Sequence, residues 1–402
     1  MPAAAERERL VVIGNGMASL KLLEELEAQC PGRYTTTVVG AEPEPAYNRV
    51  LLSSLLADEI SGQDVTLRPR TWYAEHGIAL STGVEAVGVA GGSVHLADGS
   101  SLAFDKLVLA TGADPISLPL PGRDLAGVLT FRTSADVAHM RVAADKPVVV
   151  IGGGLLGIEA AYGLSRAGAE VTLVHVMDRL MERQLDAEGA ALLARALTSK
   201  GIRVLLSTET RAIVGRDRVE AIETRSGAII PCALLVMAVG VRPCVKLAAA
   251  AGVQVGRGIV IDDTMQTNVG GIYALGDCAE HKGTCYGLVE PAYAQARVLA
   301  SVLAGKRATY AGSMLATNLK VSGVPVFSAG DFEGKDGDHI IVKDEGLPSY
   351  RKLVLRGDRV AGAVLVGDTR DALWYSELIA SGASVARFRH DLAFGRAYAE
   401  AA

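Results

Sequence analysis

Two stretches of the chain repeat one pattern: a short, wholly apolar run, closely spaced glycines, then apolar residues at helical spacing. Leu10–Ile13 runs into Gly14 and Gly16, and Val148–Ile151 runs into Gly152, Gly154 and Gly157. An unbroken apolar run is the mark of a strand buried on both faces, and the 3.6-residue spacing that follows is that of a helix. Each copy therefore predicts strand, glycine turn, helix. Thr36–Val39 and Glu170–Val174 read as the second strands of the two units. Lys106–Gly112 (KLVLATG), Leu234–Gly240 (LLVMAVG) and Ile272–Asp277 (IYALGD) read as further strands, the last followed by a helical pattern from Pro291 to Leu303. From about residue 310 the pattern shortens. Leu319–Val321, Val326–Ala329, His339–Val342, Lys352–Leu355 and Val360–Val366 read as strands, with Gly357-Asp358 as a hairpin turn. A helix follows over roughly Arg370–Ala380, and Phe388–Ala402 reads as a peripheral tail or helix.

Strand, glycine turn and helix have a definite use. The first glycine permits the sharp turn, the second lets backbone approach a pyrophosphate, and a third small residue lets helix and strand pack closely. The helix start then offers unpaired N–H groups and a positive dipole end to phosphate. In the first copy that start is Met17-Ala18-Ser19, with Ser19 as the third small residue; in the second it is Leu155-Leu156-Gly157, with Glu159 just beyond. Two copies in the same context make a stronger signal than one. An acidic residue after the second strand binds a ribose 2′-hydroxyl in such folds, and Glu42, 26 residues beyond Gly16, holds that place in the first copy. In the second copy the strand ends in His175. A neutral imidazole can bond a ribose hydroxyl, although an ordinary strand-end histidine fits the position nearly as well. No arginine follows directly, Arg179 lying further on, so NADH is favoured over NADPH. Strand-end Gly112 and Gly240 suit close backbone approach to a ligand or neighbouring chain, and equally a plain strand end before a turn. Gly276-Asp277 suits a sugar-alcohol hydroxyl as well as a plain turn.

Composition narrows the class. The 402 residues predict two or three domains, and with 50% hydrophobic and 21% charged residues the chain suits large buried cores. A formal net charge of -5 gives no reason to expect nucleic acid or an anionic membrane as partner. No apolar run reaches the roughly 20 residues of a membrane span, and MPAAAERERL lacks the apolar core of a secretory signal, so a cytoplasmic location is expected. Cys30, Cys232, Cys244, Cys278 and Cys285 form no CxxC pair. They read as incidental or buried thiols, with no metal site or disulfide framework expected.

At this point a family resemblance is carried by IGNGMAS (Ile13–Ser19), GAEPEPAYNRVLLS (Gly40–Ser53), LATGADP (Leu109–Pro115) and IGGGLLGIEAA (Ile151–Ala161). HVMDRLMERQLD (His175–Asp186), VGVRP (Val239–Pro243), LGDCAE (Leu275–Glu280), GLVEPAYAQA (Gly287–Ala296) and LKVSGVPVFSAGD (Leu319–Asp331) extend it over nearly the whole chain. The sequence resembles the two-dinucleotide-domain flavoprotein reductases. Within them it is similar to the FAD/NADH-binding part of assimilatory nitrite reductase large subunits, to rubredoxin reductases and to nitrate reductase electron-transfer subunits. The resemblance implies an α/β fold with two Rossmann-like dinucleotide-binding domains and a C-terminal α+β domain. An FAD domain would be split over 1–115 and 241–309, an NAD domain inserted at 116–240, and an interface domain placed at 310–402. It implies that Gly14, Gly16, Met17, Ala18, Ser19, Glu42, Arg49, Ala110, Thr111, Gly112, Gly276 and Asp277 contact FAD. It implies that Gly152, Gly154, Leu155, Leu156, Gly157, Glu159, His175, Arg179 and Gly240 contact the nicotinamide nucleotide.

Three departures matter. The stretch PAYNRVLLSS carries no redox cysteine, Ser54 stands where related ferredoxin and rubredoxin reductases often carry a lysine, and the chain stops before any iron–sulfur or sirohaem module. The implied chemistry is hydride transfer from NADH to FAD, a matter of positioning reacting atoms about 3–3.5 Å apart, with no protein nucleophile or general base. The expected acceptor is external: an iron–sulfur protein, a subunit of nitrate or nitrite reduction, or a rubredoxin or ferredoxin. The alternatives are an NADH oxidase or peroxide/disulfide reductase, and a non-catalytic NADH-sensing flavoprotein. A homodimer is compatible with all three.

Overall fold

The computed structural model describes residues 7–142, 145–314, 316–319, 323–344 and 346–400. They divide into two compact units. The first comprises Met1–Leu51, Ser61–Asp114 and Val241–Ser313, and the second Leu52–Ile60, Pro115–Gly240 and Met314–Ala402.

The first unit is built on a five-stranded parallel sheet, in the order Ile272–Ala274, Lys106–Leu109, Glu8–Ile13, Tyr34–Gly40, Ala79–Thr82. Glu8–Ile13 pairs on both edges, which is why its Leu10–Ile13 run is apolar without alternation and fully buried. Helix Met17–Gln29 starts where the glycines end and sets Leu20, Leu22, Leu23 and Leu26 into the core, each contributing about 1.5–3 kcal/mol of burial. Helix Val289–Leu303 packs beside it, with Leu299, Ala300 and Leu303 buried in the same core. A small antiparallel sheet, Ala86–Ala90, Ser93–Leu96 and Ser101–Ala103, completes the unit.

The second unit repeats the plan. Its five parallel strands run in the order Arg203–Leu205, Glu170–Val174, Pro147–Ile151, Leu234–Met237, Val128–Thr130. Helices Leu155–Arg166 and Ala187–Ser199 follow the first two sequence-consecutive strands. The expected strands Lys106–Gly112 and Leu234–Gly240 end earlier, at Leu109 and Met237, so their terminal glycines lie in the turns beyond. The segment Leu52–Ile60 belongs to this unit. A Cβ on Gly163 would lie 3.0 Å from Leu56, so the glycine lets helix Leu52–Leu56 close onto helix Leu155–Arg166. Arg141 at the end of helix Ser134–Arg141 bonds the Leu55 carbonyl and Asp58.

The C-terminal residues form an antiparallel sheet in the order Ala316–Leu319, Val326–Gly330, Arg359–Val366, Ser349–Arg356, Asp338–Asp344. Lys320 and Val321 of the expected strand Leu319–Val321 lie outside the described residues. Gly357, at φ +63°, opens the tight turn between Arg356 and Arg359. Helix Ala372–Ser381 covers one face. The tail is not peripheral: Leu392 is fully buried, its carbonyl accepts the Tyr375 hydroxyl at 2.7 Å, and the Ala393 carbonyl accepts Arg351 at 2.6 Å. The sheet docks on helix Ala187–Ser199 through Asp186, which caps that helix and takes the Tyr350 hydroxyl at 2.7 Å and buried Lys352 at 3.2 Å. Among the described residues no helix is long and apolar enough to cross a membrane.

Candidate dinucleotide sites

In both units the glycine turns lie beyond the carboxyl ends of parallel strands, where open α/β sheets bind ligands. The two first glycines are forced by the protein itself. Gly14 has φ +106° and a Cβ there would stand 2.1 Å from the Ala110 carbonyl oxygen; Gly152 has φ +121° and would meet the Ala238 oxygen at 2.2 Å. Their N–H groups close onto the second strands, at Val39 (2.8 Å) and Val174 (2.9 Å). The second glycines differ in kind. A Cβ on Gly16 or Gly154 would meet no protein atom within 4 Å. The protein leaves open space at both, which is the cradle a pyrophosphate needs for close approach to the backbone. The third position separates the copies. A Cβ on Gly157 would be 1.8 Å from the Gly152 carbonyl, whereas Ser19 is tolerated and its buried hydroxyl accepts the Gly16 N–H and donates to the Gly16 carbonyl, both at 2.9 Å. First-turn N–H groups at Met17 and Ala18, and at Leu155 and Leu156, have no intrahelical acceptor and point out of the helix ends.

The remaining residues expected at the first site converge. Glu42 accepts the Tyr47 hydroxyl at 2.6 Å and pairs with Arg49, whose guanidinium also donates to the Tyr47 hydroxyl at 2.9 Å and lies 4.9 Å from the Tyr47 ring centre. Asp277 acts electrostatically on the same guanidinium. Gly276, at φ +80°, is packed against Ala18 and donates its N–H to the buried amide oxygen of Gln295 at 2.8 Å. Ala110 donates its N–H to the Ile13 carbonyl, Thr111 donates its hydroxyl to the Cys244 carbonyl at 2.7 Å, and the Gly112 carbonyl accepts the Cys244 N–H at 3.0 Å. Three features were not legible from the motifs: Tyr47 as the bridge between Glu42 and Arg49, Gln295 as a buried polar residue on an apolar helix face, and a cavity. The cavity, about 710 Å³ and largely open to solvent, lies beyond Tyr34–Gly40 and Ala79–Thr82 and is lined by Ala41, Thr82, Gly83, Val84, Glu85 and Asp98. It adjoins Glu42, whose carbonyl accepts the Gly83 N–H at 3.0 Å. The donors, the open second glycine and this space fit an adenine dinucleotide such as FAD.

At the second site Glu159 is 7% exposed with no hydrogen bond or ion pair among the described residues, and burial pushes its carboxyl up to about 7. Gly240 has φ +117° and its carbonyl accepts the Ile116 N–H at 3.0 Å. His175 is turned inward, its Nδ1 accepting the Gly153 N–H at 3.0 Å and its Nε2 facing Glu182 at 3.1 Å. Arg179 pairs with Asp178 at 3.5 Å and with Glu333, in the turn between strands Val326–Gly330 and Asp338–Asp344, at 3.3 Å. Cys232 and Cys278 are buried, which raises both thiols, Cys232 to about 11. Among the described residues no group of three or more His, Cys, Asp or Glu is placed to hold a metal ion.

Comparison with known proteins agrees with this geometry. Residues 8–296 match the pyridine nucleotide-disulphide oxidoreductase family, and residues 316–383 match the C-terminal domain of rubredoxin NAD+ reductase. The chain is 45% identical over 371 residues to nitrite reductase [NAD(P)H] of Bacillus subtilis, covering 91% of this chain and 46% of that protein. It is 41% identical over 372 residues to the assimilatory nitrate reductase electron transfer subunit of the same organism, covering 91% of this chain and 48% of the relative. The chain thus spans about half the length of these curated relatives. Among solved structures, the putidaredoxin reductase–putidaredoxin covalent complex matches with a TM-score of 0.84 at 28% identity, covering 93% of both chains. Two repeated dinucleotide folds, an open second glycine in each and a matched C-terminal domain give one conclusion: the chain belongs to the pyridine nucleotide-disulphide oxidoreductase family.

Proposed function

We propose that this chain takes hydride from NADH onto a bound FAD and passes the electrons to an external iron–sulfur acceptor. The observation that carries the reading is the pair of open second glycines, Gly16 and Gly154, each at the start of a helix and each free of any protein atom that would explain it. The first site is the flavin site: Arg49 and Glu42, tied through Tyr47, offer a cation to phosphate and a carboxylate to ribose. Flavin, when bound, supplies a hydride acceptor that can release electrons singly. The chain's part is to hold and orient both dinucleotides. Relatives named as electron transfer subunit, nitrite reductase and a reductase in complex with putidaredoxin favour an iron–sulfur acceptor in nitrate or nitrite reduction or a small ferredoxin. The absence of cysteine from PAYNRVLLSS weighs against peroxide or disulfide turnover. A cytoplasmic setting and a dimer are compatible with this role.

The test is an anaerobic one. Flavin-loaded protein is reduced with NADH and offered oxygen, peroxide, a ferredoxin or rubredoxin, and a nitrite or nitrate reductase partner in turn. Fast reoxidation by the iron–sulfur partners alone supports the proposal. Fast peroxide turnover contradicts it, and a reduced form that no acceptor reoxidises would make the chain a sensor.

A further inference from the structure

We propose that Glu182, held in place by His175, sets a preference for NADH over NADPH; this rests on reading the second glycine turn as the nicotinamide-dinucleotide site. In such folds the adenosine ribose lies beyond the second strand, where an acidic residue accepts its 2′-hydroxyl. Here that strand, Glu170–Val174, is followed by His175, which is 8% exposed and turned under the glycine turn. A Cβ on Gly153 would sit 2.6 Å from the imidazole. Because Nδ1 accepts the Gly153 N–H, the ring proton is on Nε2, and Nε2 donates to Glu182 Oε2 at 3.1 Å.

The loop after the strand delivers the acid. Met181 donates its N–H to the Gly153 carbonyl at 2.9 Å, and Leu180 and Met181 are fully buried. The Met177 carbonyl accepts the Ser207 N–H at 2.8 Å. The residues flanking the Gly153 N–H and carbonyl are thereby tied to one loop, and the Glu182 carboxylate stands at the strand end with Oε1 bonded to nothing among the described residues. That oxygen is an acceptor for a ribose hydroxyl. A 2′-phosphate carries about 1.5–2 negative charges and would meet the carboxylate across the same gap. Two arginines lie in the same loop. Arg179 is engaged by Asp178, Glu333 and the Leu185 carbonyl. Arg183 is exposed and has no ion partner among the described residues, which makes it the rival: a clamp on the 2′-phosphate would reverse the preference.

The experiment uses the flavin-loaded chain, with NAD+ and NADP+ affinities measured by calorimetry and kcat/KM measured for NADH and NADPH. Wild type should bind NAD+ at least about tenfold more tightly than NADP+. Glu182→Gln should bring the two affinities to within about threefold, chiefly by a gain in NADP+ binding, and Glu182→Ala should do the same should the amide variant misfold. Arg183→Ala should leave the wild-type ratio in place. An unchanged ratio in both Glu182 variants overturns the assignment. So does a wild-type preference for NADP+ that Arg183→Ala abolishes. Binding of neither nucleotide to wild type would instead bring down the reading of the site itself.

Discussion

Glu159→Gln offers a quantitative test of how the second unit is built. Glu159 is buried in helix Leu155–Arg166 with neither a cation nor a hydrogen-bond donor against it among the described residues, and desolvation alone raises its carboxyl from 4.5 to about 7. A carboxyl raised in the folded state binds its proton more tightly there than in the unfolded chain. Its stabilising contribution is therefore complete below pH 4.5 and is lost as pH rises through about 7. With each pKa unit worth 1.36 kcal/mol, the loss is about 1 kcal/mol at pH 5 and about 3 kcal/mol at pH 8. Glutamine keeps the shape and removes the titration. The stability of the Gln variant relative to wild type should accordingly rise by about 2 kcal/mol between pH 5 and pH 8, and flatten above that. Urea unfolding of the two flavin-loaded proteins at pH 5, 6, 7 and 8 reads this directly. A difference between the variants that does not change with pH would mean that Glu159 is solvated or paired and not desolvated.

Four further outcomes follow from the same packing. Gly14→Ala, with φ +106° and the Ala110 carbonyl 2.1 Å from the new Cβ, should destabilise the fold by several kcal/mol, seen as loss of soluble or cooperatively unfolding protein. Gly16→Ala meets no protein atom, so stability should change by less than about 1 kcal/mol while flavin content after purification drops sharply. Gly154→Ala should retain flavin yet weaken NAD+ binding by about tenfold or more in calorimetry. Lys352→Met removes the cation facing the Asp186 carboxylate, leaving it the Tyr350 hydroxyl and the Gly189 N–H, and should cost about 3 kcal/mol in urea unfolding, part of which a second change, Asp186→Asn, should restore.

The residues that could be read from the chain alone are those whose reason is local. Gly14 and Gly152 are dictated by backbone conformation and by a carbonyl one strand away, and such positions announce themselves as glycine after an apolar run. Strand and helix placement followed from unbroken apolar runs and helical spacing for the same reason. The rest depends on what arrives from elsewhere. Nothing in LLSSLL shows that Leu52–Ile60 joins the second unit; that contact exists because Gly163, over 100 residues on, leaves room for Leu56. Arg179 sits near the second strand in sequence, and nothing local shows that it pairs with Glu333, over 150 residues on. His175 ends the second strand as a ribose ligand would, and the sequence does not show that the Gly153 N–H engages its Nδ1 and that Glu182, seven positions later, faces its Nε2. The tail Phe388–Ala402 carries no local sign of a packing partner; Tyr375 and Arg351 supply one through its backbone carbonyls.

Hydride transfer from NADH requires that one polypeptide hold a flavin that a reduced nicotinamide dinucleotide can reach. Purified chain, loaded with FAD and freed of oxygen, is titrated with NADH while the yellow absorbance is followed. Complete bleaching at one equivalent of NADH per flavin is the predicted result. Protein that retains no flavin, or whose colour persists in excess NADH, contradicts it.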